Sequence, residues 1–167
     1  MKSWLLALSD RLVLDARDEQ VNLLYDSLRV AVVGTLLVNF GLYQALSPVI
    51  PAPRLVAWIG LSTALALVRG WMALAYRRRP RTQSDSAIWL KWFVITLFFH
   101  SAVFGSAVWV IFPAADAQLQ FILILVMVGI VAGGAVTLSV HLPSSAVFVT
   151  AILAPLGVLW CMALPDN

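Results

Sequence analysis

The sequence predicts an all-α fold, a polytopic membrane helix bundle of about five transmembrane helices preceded by an amphipathic N-terminal helix. Three observations carry this. Of 167 residues, 62% are hydrophobic and only 11% charged, against roughly 25% charged in an ordinary soluble domain, so most of the surface must face lipid. Five stretches each supply the ~20 apolar residues that a helix needs to cross hydrocarbon. Proline stands in or beside nearly every connection, at Pro48, Pro51, Pro53, Pro80, Pro113 and Pro143, where a missing N–H costs a helix least; only Pro155 falls inside a span.

Residues 1–26 read as a cytoplasmic, interfacial segment. Trp4, Leu5, Leu8 and Leu12 alternate at helical spacing with Asp10, Arg11, Asp15 and Arg17. The charges arrive too early for a signal peptide, so no cleavage is expected. Val21, Leu24 and Leu28 continue the period into the first span. The remaining chain, 27–167, divides into spans at 28–47, 54–76, 88–112, 118–140 and 143–163, joined by short turns and one longer polar connection at 77–87. Cys161 is the sole cysteine, which excludes an internal disulfide. The net charge of +3 is concentrated beside the apolar spans, a placement that fits membrane orientation and not nucleic-acid binding.

Orientation follows from the basic residues at span ends. Lys2, Arg11, Arg17 and Arg29 precede the first span and Arg77, Arg78, Arg79, Arg81 and Lys91 surround the second connection, against Arg54 alone on the opposite side. The positive-inside rule then places the N-terminus in the cytoplasm. Tyr25, Trp71, Tyr76, Trp89 and Trp92 fall at the inner level, and Tyr43, Trp58, Trp109 and Trp160 at the outer one, as expected of interfacial aromatics.

Ionisable groups within a bilayer are costly and therefore informative. Arg69 lies about two turns from the inner end of its span and is expected to snorkel toward the headgroups. His100, near mid-span, must face the bundle interior. His141 belongs to an inner turn, ~15 Å or more from His100 in depth, too far to share a metal ion; no metal or other cofactor is expected. The spans contain no Asp or Glu, which disfavours ion-driven transport, and no catalytic constellation appears at useful spacing. Fractional position along each span brings Asn39, His100, Gly129 and Pro155 to one mid-bilayer level from four helices, a candidate ligand cavity. The spacings Ser101 to Gly105 and Gly129 to Gly133 are those of close helix packing, and of a homodimer contact through those faces.

Several short segments also carry a resemblance: Glu19-Gln20-Val21-Asn22-Leu23-Leu24-Tyr25, the outer turn at Pro48 to Pro53 with Arg54-Leu55-Val56-Ala57-Trp58, the basic Tyr76-Arg77-Arg78-Arg79, Phe112-Pro113, and Leu138-Ser139-Val140-His141-Leu142-Pro143. Together they resemble the N-terminal membrane input regions of bacterial hybrid histidine kinases and related GGDEF/EAL proteins of cyclic di-GMP signalling. The resemblance implies a sensor bundle in the bacterial inner membrane, a homodimer, no catalytic domain within these 167 residues, and a hydrophobic or fatty-acid-like small-molecule signal. A small membrane carrier is the alternative. Five spans leave the C-terminus outside, whereas an output domain of this class is cytoplasmic. The sequence is therefore expected to stop before a sixth span, the alternatives being a complete five-span protein or a re-entrant segment among the last two.

Overall fold

Among the described residues six helices follow one another in the computed structural model: α1 (Lys2–Leu46), α2 (Ala52–Arg78), α3 (Ser86–Gly105), α4 (Ala107–Val110), α5 (Ala117–Leu138) and α6 (Leu142–Ala163). The structure describes residues 2–78, 86–112 and 116–163, with side chains from 16 to 162 within these. Five of its helical stretches are long and apolar enough to cross a membrane, α4 continuing the third, so the chain is a multi-pass membrane protein. Four of the five have limits within two residues of the expected spans, whereas the first, Ala16–Leu46, begins twelve residues before the expected 28. Arg79, Arg81, Pro80 and Pro113 lie outside the described residues, as do the side chains on which the amphipathic character of residues 2–15 would rest.

Large apolar side chains cover the outside, among them Val30, Leu37, Phe40, Trp71 and Val136, each about two-thirds or more exposed. Polar groups turn inward: Asn39, Ser62, Arg69, Ser86, Ser101 and Ser144 are all buried. This inversion of the soluble pattern is what a lipid solvent selects. The chain's packing partners are α1 with α2, α3 with α6, α2 with α3, and α5 with α6. The α1–α5 contact is slight, leaving these two helices splayed.

Helix α1 passes residue 26 without a break and runs for 45 residues. Its stripe Val21, Leu24, Tyr25 and Leu28 is fully buried against Met72, Ala73, Tyr76, Phe93, Leu97 and Leu138. What the sequence offered as a lead-in turn is thus one face of a packed core. We call this the basic end of the bundle, because Arg77 and Arg78 close α2 there. A second core, at the opposite or Trp58 end, gathers Leu42, Leu46, Ile50, Leu55, Trp58, Phe104, Val108, Ile111, Leu123, Met127 and Ile152.

Local chemistry sets the helix ends. The turn after α1 is held by the Val49 and Ile50 amides donating to the Leu46 carbonyl, and Ile50 is buried beneath it. The Asp116 carboxylate accepts from the Leu119 amide at 2.8 Å and caps α5. At the basic end His141 precedes α6, and its Nδ1 faces the Ser144 hydroxyl at 2.7 Å while accepting the Ser144 amide at 3.3 Å. Burial pushes the His141 imidazole below its ordinary pKa. Protonation would remove the acceptor. Because the folded pKa is depressed, the stabilising cap is complete above the unfolded value of ~6.5 and is lost as pH falls through the lower folded value. An NMR titration of the histidine ring should therefore give a midpoint for His141 below that of a peptide histidine, and a midpoint at or above it would contradict this cap.

The third span differs from expectation. It is interrupted at Ser106, between α3 and α4. The Trp58 indole N–H donates to the Val103 carbonyl at 2.9 Å and to the Ser106 hydroxyl at 3.2 Å, and the Ser106 hydroxyl donates to the same carbonyl at 2.7 Å. A carbonyl claimed by two side-chain donors is drawn off the helix ladder, which loosens that turn. Trp58 is accordingly buried inside the bundle, at 5% exposure, with its indole turned to α3.

Candidate functional site

A cavity of about 540 Å³ opens where α1 and α5 splay apart. Its walls come from Leu28, Gly34 and Val38 of α1, Phe93, Leu97 and Phe104 of α3, Val126, Gly129 and Gly133 of α5, and Phe148 of α6. The lining is overwhelmingly apolar, and the volume is that of sites for small organic ligands. Three glycines form its edges: a Cβ added to Gly34, Gly129 or Gly133 would meet no atom within 4 Å. Absent side chains on two facing helices thus make the space. By contrast, a Cβ at Gly134 would run into the Phe148 ring, which packs α6 against the far wall.

Two nitrogenous groups reach this apolar space. Arg69, only 5% exposed, lines it from α2, with its guanidinium carbon 5.3 Å from the centre of the Phe93 ring. The cation–π contact is favourable when desolvated. Arg69, expected to snorkel toward the headgroups, is buried within the bundle with its guanidinium over Phe93. It belongs to the buried stripe Leu55, Trp58, Ser62, Ala66, Arg69, Ala73 and Tyr76, spaced three and four apart, which turns the face of α2 that carries it into the bundle. Among the described residues its guanidinium makes no hydrogen bond and has no carboxylate partner, the ion pair present being Arg77 with Asp26 at 2.6 Å. That pair, with both partners about half exposed, contributes little to stability.

His100 joins Arg69 in the lining, edge-on to Phe104 with ring centres 5.3 Å apart. Its Nε2 is buried without a hydrogen-bond partner. Native interiors rarely leave such an atom unpaired, because its lost hydration costs roughly 1–3 kcal/mol.

Of the four residues grouped by depth, the structure brings together His100 and Gly129 and separates the other two. Asn39, 3% exposed, faces α2, where its amide donates to Ser62 Oγ at 3.1 Å and Thr63 Oγ1 at 3.0 Å, while the Ser62 hydroxyl returns a bond to Asn39 Oδ1 at 3.2 Å. It is interhelical glue, satisfied and outside the cavity. Pro155 lies at the α3–α6 seam, where its ring approaches Gly105. Gly105 is buried against α6, and a Cβ there would collide with the Ala151 carbonyl oxygen. Ser101 is buried too, its hydroxyl donating to its own helix at the Leu97 carbonyl, 2.7 Å away. The Ser101–Gly105 face is therefore consumed within the chain and is not open to a second copy. Gly129 and Gly133 are exposed.

The basic end supports the cavity floor. Tyr25 of α1 and Tyr76 of α2 stack with ring centres 4.2 Å apart and planes 7° from parallel; Trp89 meets both edge-on, and Phe93 meets Tyr25. The Tyr25 hydroxyl donates to the Trp89 carbonyl at 3.0 Å and the Tyr76 hydroxyl to Asn22 Oδ1 at 2.6 Å, with Ser86 donating to the Asp18 carboxylate one turn earlier. Leu28, Phe93, Leu97 and Leu138 belong both to this core and to the cavity wall. The signal sequence reading passed over was the spacing of Asp18, Asn22, Tyr25 and Asp26, one helix face carrying partners for two other helices. Among the described residues no three His, Cys, Asp or Glu side chains gather as a metal ion would need. No protein-family model, curated protein or solved structure matches this chain.

Proposed function

We propose that the chain is the membrane-embedded input region of a bacterial signal-transduction protein, a sensor histidine kinase of a two-component system, that detects a hydrophobic or fatty-acid-like molecule. In this reading the basic end, with Arg77 and Arg78, lies in the cytoplasm, the bundle resides in the inner membrane, and the output acts as a homodimer. One observation carries the proposal: Leu28, Phe93, Leu97 and Leu138 wall the cavity and also belong to the core that seats residues 21–28 of α1. An occupant that repositions Phe93 or Leu28 alters the seat of a helix leaving the membrane. A modest difference in affinity between two packings is enough to shift their populations.

The test uses the intact protein that carries this chain, reconstituted in nanodiscs, with autophosphorylation as readout. Gly133→Leu places a side chain in the cavity and is expected to hold phosphorylation at one level, insensitive to apolar additives. Val136→Leu, on the outer face, should leave the response intact. Equal responses in both would count against the proposal, as would a reading frame that stops after Asn167 without an output module. Cyclic di-GMP synthesis in place of phosphorylation would keep the input role and change the output to a GGDEF enzyme.

A further inference from the structure

We infer that Arg69 is the anion-binding residue of the α1–α5 cleft, and that the cleft takes a single-chain amphiphile whose one carboxylate pairs with its guanidinium. This rests on the sensor reading for its biological purpose, but not for its chemistry.

The argument starts from charge. Arg69 keeps its proton in proteins, is 5% exposed, and has no carboxylate among the described residues. A buried cation without a counter-charge is costly, and the contact with Phe93 offsets only part of that cost. The missing charge cannot come from a second copy seated in the cleft through its membrane spans. Between Asp26 and Asp85, between Asp85 and Asp116, and from Asp116 to Asp166 the chain holds no acidic residue. A helix of this protein would fill the space and leave Arg69 as it is. The anion must arrive on a ligand.

Position selects the ligand further. The Arg69 backbone lies seven residues deeper than Tyr76 along α2, and its guanidinium rests over Phe93, at the edge of the aromatic cluster, facing the apolar cleft. A phospholipid phosphate would bring its glycerol and second chain into a cleft of about 540 Å³. A single chain with one carboxylate asks for less room, and the guanidinium favours its ionised form. His100 Nε2, buried and unpaired in the same lining, supplies either an acceptor for the protonated acid or a donor for the carboxylate, according to its tautomer. The glycine edges at Gly34, Gly129 and Gly133 open the cleft laterally, the direction from which a bilayer solute comes. Because bilayer tails are as apolar as the cavity wall, burying the chain adds little over leaving it in lipid. Recognition then falls on the head.

The experiment measures binding of dodecanoate, methyl dodecanoate and dodecyltrimethylammonium to the whole chain in phosphatidylcholine nanodiscs, by displacement of a photoreactive dodecanoate analogue. Wild type should be labelled saturably, dodecanoate should displace the probe, and the ester and the cation should compete at least tenfold less well. Arg69→Gln should weaken labelling by about tenfold to a hundredfold, the range for a charge-assisted hydrogen bond, and Arg69→Lys should recover part of it. Gly133→Leu should abolish labelling with Arg69 intact, which keeps the test independent of any folding defect in Arg69→Gln. Three results would overturn the inference: equal competition by acid and ester, undiminished labelling of Arg69→Gln, or complete suppression by phosphatidylglycerol, which would make the occupant a phospholipid. Loss of labelling together with Gly129→Cys cross-linking between copies would also overturn it, making the cleft an interface. Saturable labelling that leaves phosphorylation of the intact protein unchanged would retain the site and remove the sensor reading.

Discussion

Replacing Gly105 with leucine is expected to destroy the folded bundle, and replacing it with alanine to cost about 1–3 kcal/mol, the range for overpacked cores. At this position α3 rests backbone to backbone on α6: the first atom beyond Cα would meet the Ala151 carbonyl oxygen, with Pro155 and the Ile152 carbonyl close behind. Main-chain oxygens cannot rotate away, so the helices must part. Pro155 makes this worse. Lacking an N–H, it leaves the Ala151 carbonyl without its usual partner four residues on, and a displaced α6 would expose that oxygen to hydrocarbon. Gly134 is the instructive contrast. Its added Cβ also overlaps a neighbour, yet that neighbour is the tip of the Phe148 ring, which can swing toward the cavity. Gly134→Ala should be milder than Gly105→Ala, and Gly129→Ala, with open space around it, should change stability by no more than about 0.5 kcal/mol. Unfolding in detergent followed by circular dichroism ranks the three. Equal midpoints for Gly105→Ala and Gly129→Ala would show that the α3–α6 contact is loose.

That ranking was half legible in the sequence. Small residues four apart at Ser101 and Gly105 announce close packing, but not the partner, and the partner turned out to lie within the chain. The spans were legible for a simple reason: a helix in lipid satisfies its own backbone, so length and apolar composition define it without knowledge of neighbours. Features that depend on a second helix were not. The interruption at Ser106 needs the Trp58 indole, contributed from α2. Depth could be read from position along a span, whereas azimuth, the direction a side chain faces around its helix, could not. Asn39 and His100 share a level, yet Asn39 looks at Ser62 and Thr63 and His100 looks at the cleft. For Arg69 the azimuth was available: Ser62, Ala66 and Ala73 mark the packing face of α2 at three- and four-residue steps, and position 69 lies on it. Its distance from the helix end suggested snorkelling, and the stripe of small residues pointed the other way.

Tyr25→Ala should be the most damaging substitution at the basic end, costing about 3–5 kcal/mol, the range for deleting a buried aromatic ring. Tyr25 is 1% exposed and meets Tyr76, Trp89 and Phe93 from three sides, so its removal strips contacts from α2 and α3 together. Tyr25→Phe keeps the stack and loses the bond to the Trp89 carbonyl, and should cost about 1 kcal/mol. Hydrogen exchange separates local from global damage. In Tyr25→Ala the amides of residues 18–28 should lose protection first, because this part of α1 is held to the bundle through this stripe, while amides of α5 stay protected. Uniform loss across all helices would instead make the aromatic cluster a support of the whole bundle. Similar midpoints for Tyr25→Phe and Tyr25→Ala would show that the hydroxyl, and not the ring, fixes α1. Phe93 ties this back to the cleft. It lies against Tyr25 on one side and beneath the Arg69 guanidinium on the other, so a protein that loses Tyr25 also loses the surface that holds its buried cation in place.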